Sequence, residues 1–163
     1  MVIAPENFRD EELLEPKDIF ENAGAGVTVA SKGADSAKGM YGAVVTVDED
    51  IESVNADEYD AVVFVGGTGA SVYFNDETAW NLAKTAYGGG KIVAAICIAP
   101  STLANAGLLE GKKATCFPSE KGNLEDKGAT YTGAVVEQDG RIITGNGPNA
   151  ATEIGQKIAE ALG

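Results

Sequence analysis

A chain of 163 residues, 44% of them hydrophobic, is long enough to bury one substantial core and short for two. Its 25 acidic side chains outnumber 12 basic ones and leave a formal net charge of -13. That balance excludes the clustered cations which nucleic acid or an anionic membrane surface requires. Histidine is absent, which excludes a Ser/His/Asp triad, a Cys/His dyad within the chain and any histidine-based zinc site.

No stretch approaches the ~20 apolar residues of a membrane span, and the N-terminus carries no charged region followed by an apolar one. The expectation is a cytoplasmic protein. Cys97 and Cys116 form no CxxC pair and are too few for a disulfide framework, so both are expected to be reduced thiols, with no metal and no organic cofactor.

In chain order, Met1 to Ala4 is a short apolar start, closed by Pro5. Leu13, Leu14, Ile19 and Phe20 recur at helical spacing up to Gly24, with Pro16 expected to kink or restart the helix. Val27–Ala30 and Ala43–Val47 alternate and are β-branched, which predicts strands. Asp60–Val65 is a continuous apolar run, the pattern of a strand buried on both faces, and it ends in Gly66-Gly67-Thr68-Gly69. Asp76 offers an N-cap for a helix that Gly88-Gly89-Gly90 closes. Ile92–Ile96 predicts a second buried strand, Pro100–Leu109 a helix and Lys113–Phe117 a strand. Val135-Val136 and Ile142-Ile143 flank a turn at Asp139-Gly140, and Ala150–Leu162 is an amphipathic helix. Apolar strands alternating with helices predict one domain over residues 1–163, an α/β fold with a mostly parallel sheet in a three-layer α/β/α sandwich.

In such sheets ligands gather at the carboxyl ends of the strands, which singles out Gly66-Gly67, Cys97 and Gly145-Asn146-Gly147. Gly145-x-Gly147-x-x-Ala150 loosely fits a dinucleotide fingerprint, but no room remains for the strand that would carry a ribose-binding carboxylate. Gly88-Gly89-Gly90-Lys91 lacks the phosphate-loop spacing and reads as a helix stop. Cys97 can be a structural core thiol. Its place between a strand and a helix N-terminus also suits a reactive sulfur, where unpaired amides and the helix dipole favour thiolate and the Gly67 and Ile98 amides can hold an oxyanion. Glu12, judged from its neighbours Glu11 and Glu15, belongs to a solvated acidic cluster.

Five segments resemble the ThiJ/PfpI superfamily, which includes the Parkinsonism-associated deglycase and PfpI-type intracellular peptidases. They are Phe8-Arg-Asp-Glu-Glu12-Leu-Leu-Glu-Pro16, Asn22-Ala-Gly-Ala-Gly-Val-Thr-Val-Ala-Ser31, the Val-Gly-Gly loop at Gly66-Gly67, Ala95-Ile-Cys97-Ile-Ala-Pro100 and Ile143-Thr-Gly-Asn-Gly-Pro148. The resemblance implies a flavodoxin-like fold, a nucleophile elbow at Cys97 and an oxyanion hole from Gly67 and Ile98. It also implies an acidic partner for the sulfur at Glu12, with a pKa raised by desolvation. Gly66, Cys116, Phe117 and Asn146 would line the pocket, and a homodimer or higher homo-oligomer would form.

Two departures matter. Many family members carry histidine directly after the cysteine, where this chain has Ile98, and the deglycase branch carries a His-Pro pair where this chain has Phe117-Pro118. The chain is thus a divergent member without imidazole, and peptidase or amidase chemistry loses its base. The leading expectation is a cysteine-dependent glyoxalase or deglycase acting on small reactive carbonyls such as methylglyoxal. The alternative is a redox-responsive stress protein that senses oxidants through Cys97 without turnover.

Overall fold

The computed structural model describes residues 1–163. Its first half holds β1 (Glu6–Phe8), α1 (Asp10–Asn22), β2 (Ala30–Ser31), β3 (Ser36–Gly39), β4 (Val44–Thr46), β5 (Glu49–Asp50), β6 (Ala61–Phe64) and α2 (Glu77–Gly88). There follow β7 (Ile92–Ile96), α3 (Pro100–Asn105), β8 (Lys113–Ala114), α4 (Lys121–Asp126), β9 (Thr130–Tyr131), β10 (Val136–Asp139), β11 (Ile142–Gly145) and α5 (Ala151–Leu162).

The central sheet runs β10-β11-β7-β6, and Val2 extends it by bridging Phe64 to Ala30, which brings in β2 and β5. Every pairing in it is parallel except the β10–β11 hairpin around Gly140. All five residues of β7 are buried, and their alternation feeds both layers. Val93 and Ala95 join Phe64, Leu82, Leu103 and Leu124 on the face covered by α2, α3 and α4. Ala94 and Ile96 join Phe20, Ile143, Ile154 and Ile158 on the face covered by α1 and α5. A strand with apolar residues on both faces needs a layer on each side, which produces the three-layer α/β/α sandwich.

The predicted caps are present. The Asp76 carboxylate accepts hydrogen bonds from the Thr78 and Ala79 amides at 2.8 and 3.3 Å, and α2 runs out into Gly89 and Gly90. No helix is long and apolar enough to cross a membrane.

Several expectations need correction. Helix α1 is continuous through Pro16. Its contact with α5 is close enough that a Cβ on Gly155 would lie 2.9 Å from Ile19 Cδ1 and 3.1 Å from Pro16 Cα, so packing outweighs the lost backbone bond. The β2 ladder forms at Ala30–Ser31 and not over Val27–Ala30, because its partners are Val2 and Glu49-Asp50. The expected strand at Ala43–Val47 does form, as β4, and it joins a separate β1-β3-β4 unit where Val44 is 69% exposed. The Lys113–Phe117 strand shrinks to β8, paired only with β9. Helix α3 ends at Asn105, well short of Leu109, as the chain turns through Gly107.

Candidate active site

Parallel pairing of β6 with β7 places Phe64 opposite Ala95, so the loop at Gly66-Gly67 and the turn at Cys97 emerge side by side. On the other flank β11 pairs with β7, and the Cys97 amide donates to the Gly145 carbonyl at 2.9 Å. Cys97 has φ +66, a left-handed conformation that costs a residue with a side chain about 1–2 kcal/mol. The chain therefore holds a strained cysteine at the carboxyl end of its central buried strand.

Helix α1 is aimed at this turn. The Arg9 amide donates to the Gly66 carbonyl at 2.9 Å, which fixes the start of the helix on the loop after β6. Gly67, at φ +100, permits this approach, since a Cβ there would overlap the Arg9 nitrogen and lie 2.6 Å from the Asn7 oxygen. Glu12, in the first turn of α1, then points inward with no exposed surface, beside Gly66 and Cys97.

Neither Glu12 carboxyl oxygen has a partner at full hydrogen-bond geometry. Burial raises its pKa to about 8, opposed by the nearby Cys97 thiol, the Gly66 amide and the Arg9 charge. Near neutral pH the carboxyl is mostly protonated, with an appreciable ionised fraction.

Burial likewise pushes the Cys97 thiol up to about 12, with the Glu12 charge adding to the rise and the Gly67 and Ile98 amides pulling against it. This corrects the expectation of a thiol lowered by its place at a helix N-terminus. Helix α3 is only six residues long, and desolvation of the sulfur outweighs its amides. Protonation of Glu12 removes its repulsion from the state that prevails near neutral pH.

The remaining expected residues divide. Ile98 is half-buried, and Phe117, 43% exposed, donates its amide to the Cys97 carbonyl at 2.7 Å. Asn146 is half-buried, and its amide bonds the Val135 carbonyl at 2.9 Å. Cys116 is fully buried among the residues facing α2 and α3, whereas Cys97 packs with those facing α1 and α5. The two are still near each other: burial raises the Cys116 thiol, and the Cys97 charge adds to the rise.

Two neighbours escape sequence reasoning. Asp10 is buried and accepts hydrogen bonds from the Tyr41 and Ala43 amides at 3.0 and 2.9 Å, which ties the β3–β4 turn to α1. Arg9 lies over the Tyr41 ring at 4.6 Å and pairs with Glu11 at 2.8 Å. Asp10 opens an acidic run and Arg9 precedes it, and neither has a sequence signal of its own. A cavity of about 570 Å³ opens at the opposite end of the sheet, lined by Met1, Phe20, Tyr59 and Ala61, away from Cys97.

The turn at Cys97 puts the molecule among α/β proteins that carry a nucleophile-type residue on a strained strand-to-helix elbow. Residues 1–161 match the DJ-1/PfpI family, and the chain belongs to it. An uncharacterised protein of Methanocaldococcus jannaschii is 42% identical over 99% of this chain and 80% of its own length. A deglycase of Pyrococcus abyssi is 34% identical over 91% of this chain and 89% of its own. A glutathione-independent glyoxalase of Caenorhabditis elegans is 27% identical over 99% and 87%. The crystal structure of a ThiJ/PfpI domain protein from Brachyspira murdochii superposes with a TM-score of 0.97 at 35% identity, over 99% of this chain and 93% of that one.

Proposed function

We propose that the protein is a cysteine-dependent glyoxalase or deglycase that converts small reactive carbonyls such as methylglyoxal into 2-hydroxy acids. The observation that carries this reading is a fully buried glutamic acid, its pKa raised to about 8, beside a strained cysteine. A group with a pKa close to the working pH can both take and return a proton. Relatives named deglycase and glutathione-independent glyoxalase support the same chemistry.

In this reading ionised Glu12 takes the thiol proton as the Cys97 sulfur bonds to the aldehyde carbon. The oxygen, held by the Gly67 and Ile98 amides, receives that proton, and a hemithioacetal results. Glu12 then removes the hydrogen from the former aldehyde carbon, whose electron pair forms an enediol as the ketone oxygen takes up a proton. Return of the Glu12 proton to the former ketone carbon, with loss of the hydroxyl proton from the sulfur-bearing carbon, completes the isomerisation. The product is a thioester of the 2-hydroxy acid, which water cleaves to release the acid and restore the thiol. One water is consumed, and no external oxidant or reductant enters.

Oxidant sensing has less support. It depends on a standing thiolate, which burial of Cys97 disfavours, whereas addition to an aldehyde can pass the proton to Glu12 as the bond forms. Peptide hydrolysis also lacks support, because Ile98 and Phe117 supply no proton to a leaving amine. Assembly as a homodimer is part of the proposal, supported by the exposure of Leu14, Tyr41 and Val44 around the β3–β4 hairpin, and sedimentation tests it. The activity itself is tested by lactate production from methylglyoxal with the wild type, Cys97→Ala and Glu12→Gln. Equal rates for all three would refute the reading.

A further inference from the structure

Two exposed apolar residues, Phe117 and Val135, lie on segments that backbone hydrogen bonds tie to the Cys97 turn and to the loop beside it. The Phe117 amide donates to the Cys97 carbonyl at 2.7 Å. Its ring leans over the next loop, where a Cβ on Gly147 would lie 3.5 Å from Phe117 Cδ2. That loop is tied to Cys97 through the Gly145 carbonyl and to Val135 through the Asn146 amide, each at 2.9 Å. Thr115 locks the two outer segments together: its amide donates to Thr144 Oγ1 at 3.0 Å and its hydroxyl to the Ala134 carbonyl at 2.6 Å.

Phe117 and Val135 are each 43% exposed, although most large apolar side chains of this chain are buried. Rigid, exposed apolar groups at the mouth of a polar site are available to a ligand without reorganisation. The cations of neighbouring segments are engaged elsewhere, Arg9 by Glu11 at 2.8 Å and Lys121 over the Tyr131 ring at 5.5 Å. With a net charge of -13, the molecule repels anionic substrates.

We propose that Phe117 and Val135, with half-buried Ile98 next in the chain to Cys97, form a specificity rim that selects neutral 2-oxoaldehydes bearing an aryl or alkyl substituent over small hydrophilic ones. This rests on the carbonyl reading of Cys97 and deepens it. The aldehyde carbon meets the sulfur, and the substituent lies against the Phe117 ring, where stacking and burial favour an aromatic group.

The test compares kcat/KM for phenylglyoxal and glyoxal in the wild type, Phe117→Ser and Val135→Ser. The wild type should prefer phenylglyoxal, and Phe117→Ser should lower the ratio by about tenfold, Val135→Ser by less. Both positions are partly exposed, so the variants should fold, which a melting curve checks. A second readout does not need turnover: the rates of Cys97 alkylation by N-benzyliodoacetamide and iodoacetamide, whose ratio should fall in Phe117→Ser. Turnover that depends on Cys97 with neither ratio altered overturns the rim and leaves the carbonyl reading standing. An altered alkylation ratio without turnover places Phe117 at the mouth of the Cys97 site but overturns the carbonyl reading, and with it the selection of oxoaldehydes. No turnover and no altered ratio overturns both.

Discussion

Gly66 and Glu12 meet so closely that a Cβ on Gly66 would collide with Glu12 Oε1, and with the Cβ of Cys97 as well. The same added carbon would lie 2.6 Å from the Ile96 carbonyl, a backbone atom that cannot swing aside. The absence of a side chain at Gly66 therefore sets how near the carboxyl and the sulfur stand. Gly66→Ala should destabilise the fold by about 1–3 kcal/mol in urea unfolding and reduce carbonyl turnover at least tenfold. A variant with wild-type stability and wild-type rate would mean that the contact has no consequence.

Glu12 makes a signed prediction about pH. Its folded-state pKa of about 8 lies above the ordinary carboxyl value of 4.5, so the folded state holds the proton more tightly than the unfolded chain. Stability from this group is full below about pH 4.5, declines as pH rises to about 8, and is flat beyond, by a few kcal/mol in all. Glu12→Gln should remove that decline, so the variant gains stability relative to wild type between those limits. Thermal melting across pH 4 to 9 checks this, and parallel curves for the two proteins would rule out a buried titrating carboxyl.

The same variant separates the two groups. Ionised Glu12 helps to raise the Cys97 thiol, so replacing it with a neutral amide should let the thiolate form at lower pH. At pH 9 iodoacetamide should modify Cys97 faster in Glu12→Gln than in wild type, even though carbonyl turnover falls. Slower alkylation in the variant would show that Glu12 assists thiolate formation more than its charge opposes it.

What the sequence disclosed depended on how local the signal was. Strands β6 and β7 stand out because continuous apolar runs ending in glycine or cysteine are self-contained patterns, and so does the Asp76 cap of α2. Glu12 was different. Among Asp10, Glu11 and Glu15 it has no periodic signal for burial, and only resemblance to a family connected it with Cys97; the geometry that buries it is the long-range bond between the Arg9 amide and the Gly66 carbonyl. Strand β4 is legible from the alternation at Ala43–Val47, but alternation does not say which sheet a strand joins. The thiol pKa is not legible in the sequence because chain order reveals a helix dipole, whereas desolvation depends on everything packed around the sulfur.

Asp10 anchors the unit that β4 joined. Its carboxylate accepts from two backbone amides, those of Tyr41 and Ala43, and is itself buried. Asp10→Ala leaves both donors without their acceptor and should cost about 2–3 kcal/mol. Hydrogen exchange should speed up at Tyr41 and Ala43 while the amides of β7 keep their protection. Loosening spread evenly over the molecule would argue that Asp10 serves the whole fold and not this turn.

The elbow strain is open to measurement because Cys97 can be shortened in two ways. Cys97→Ala removes the sulfur but keeps a Cβ at φ +66, and Cys97→Gly removes both. At an ordinary buried position glycine would be the less stable of the two by about 1 kcal/mol, through added freedom in the unfolded chain and lost packing. At a left-handed position the relief of about 1–2 kcal/mol opposes that loss. The two variants should therefore unfold within about 0.5 kcal/mol of each other in urea, or with glycine ahead. If Cys97→Gly falls a full ~1 kcal/mol below Cys97→Ala, the turn stores no strain and the elbow has to be explained by contacts alone.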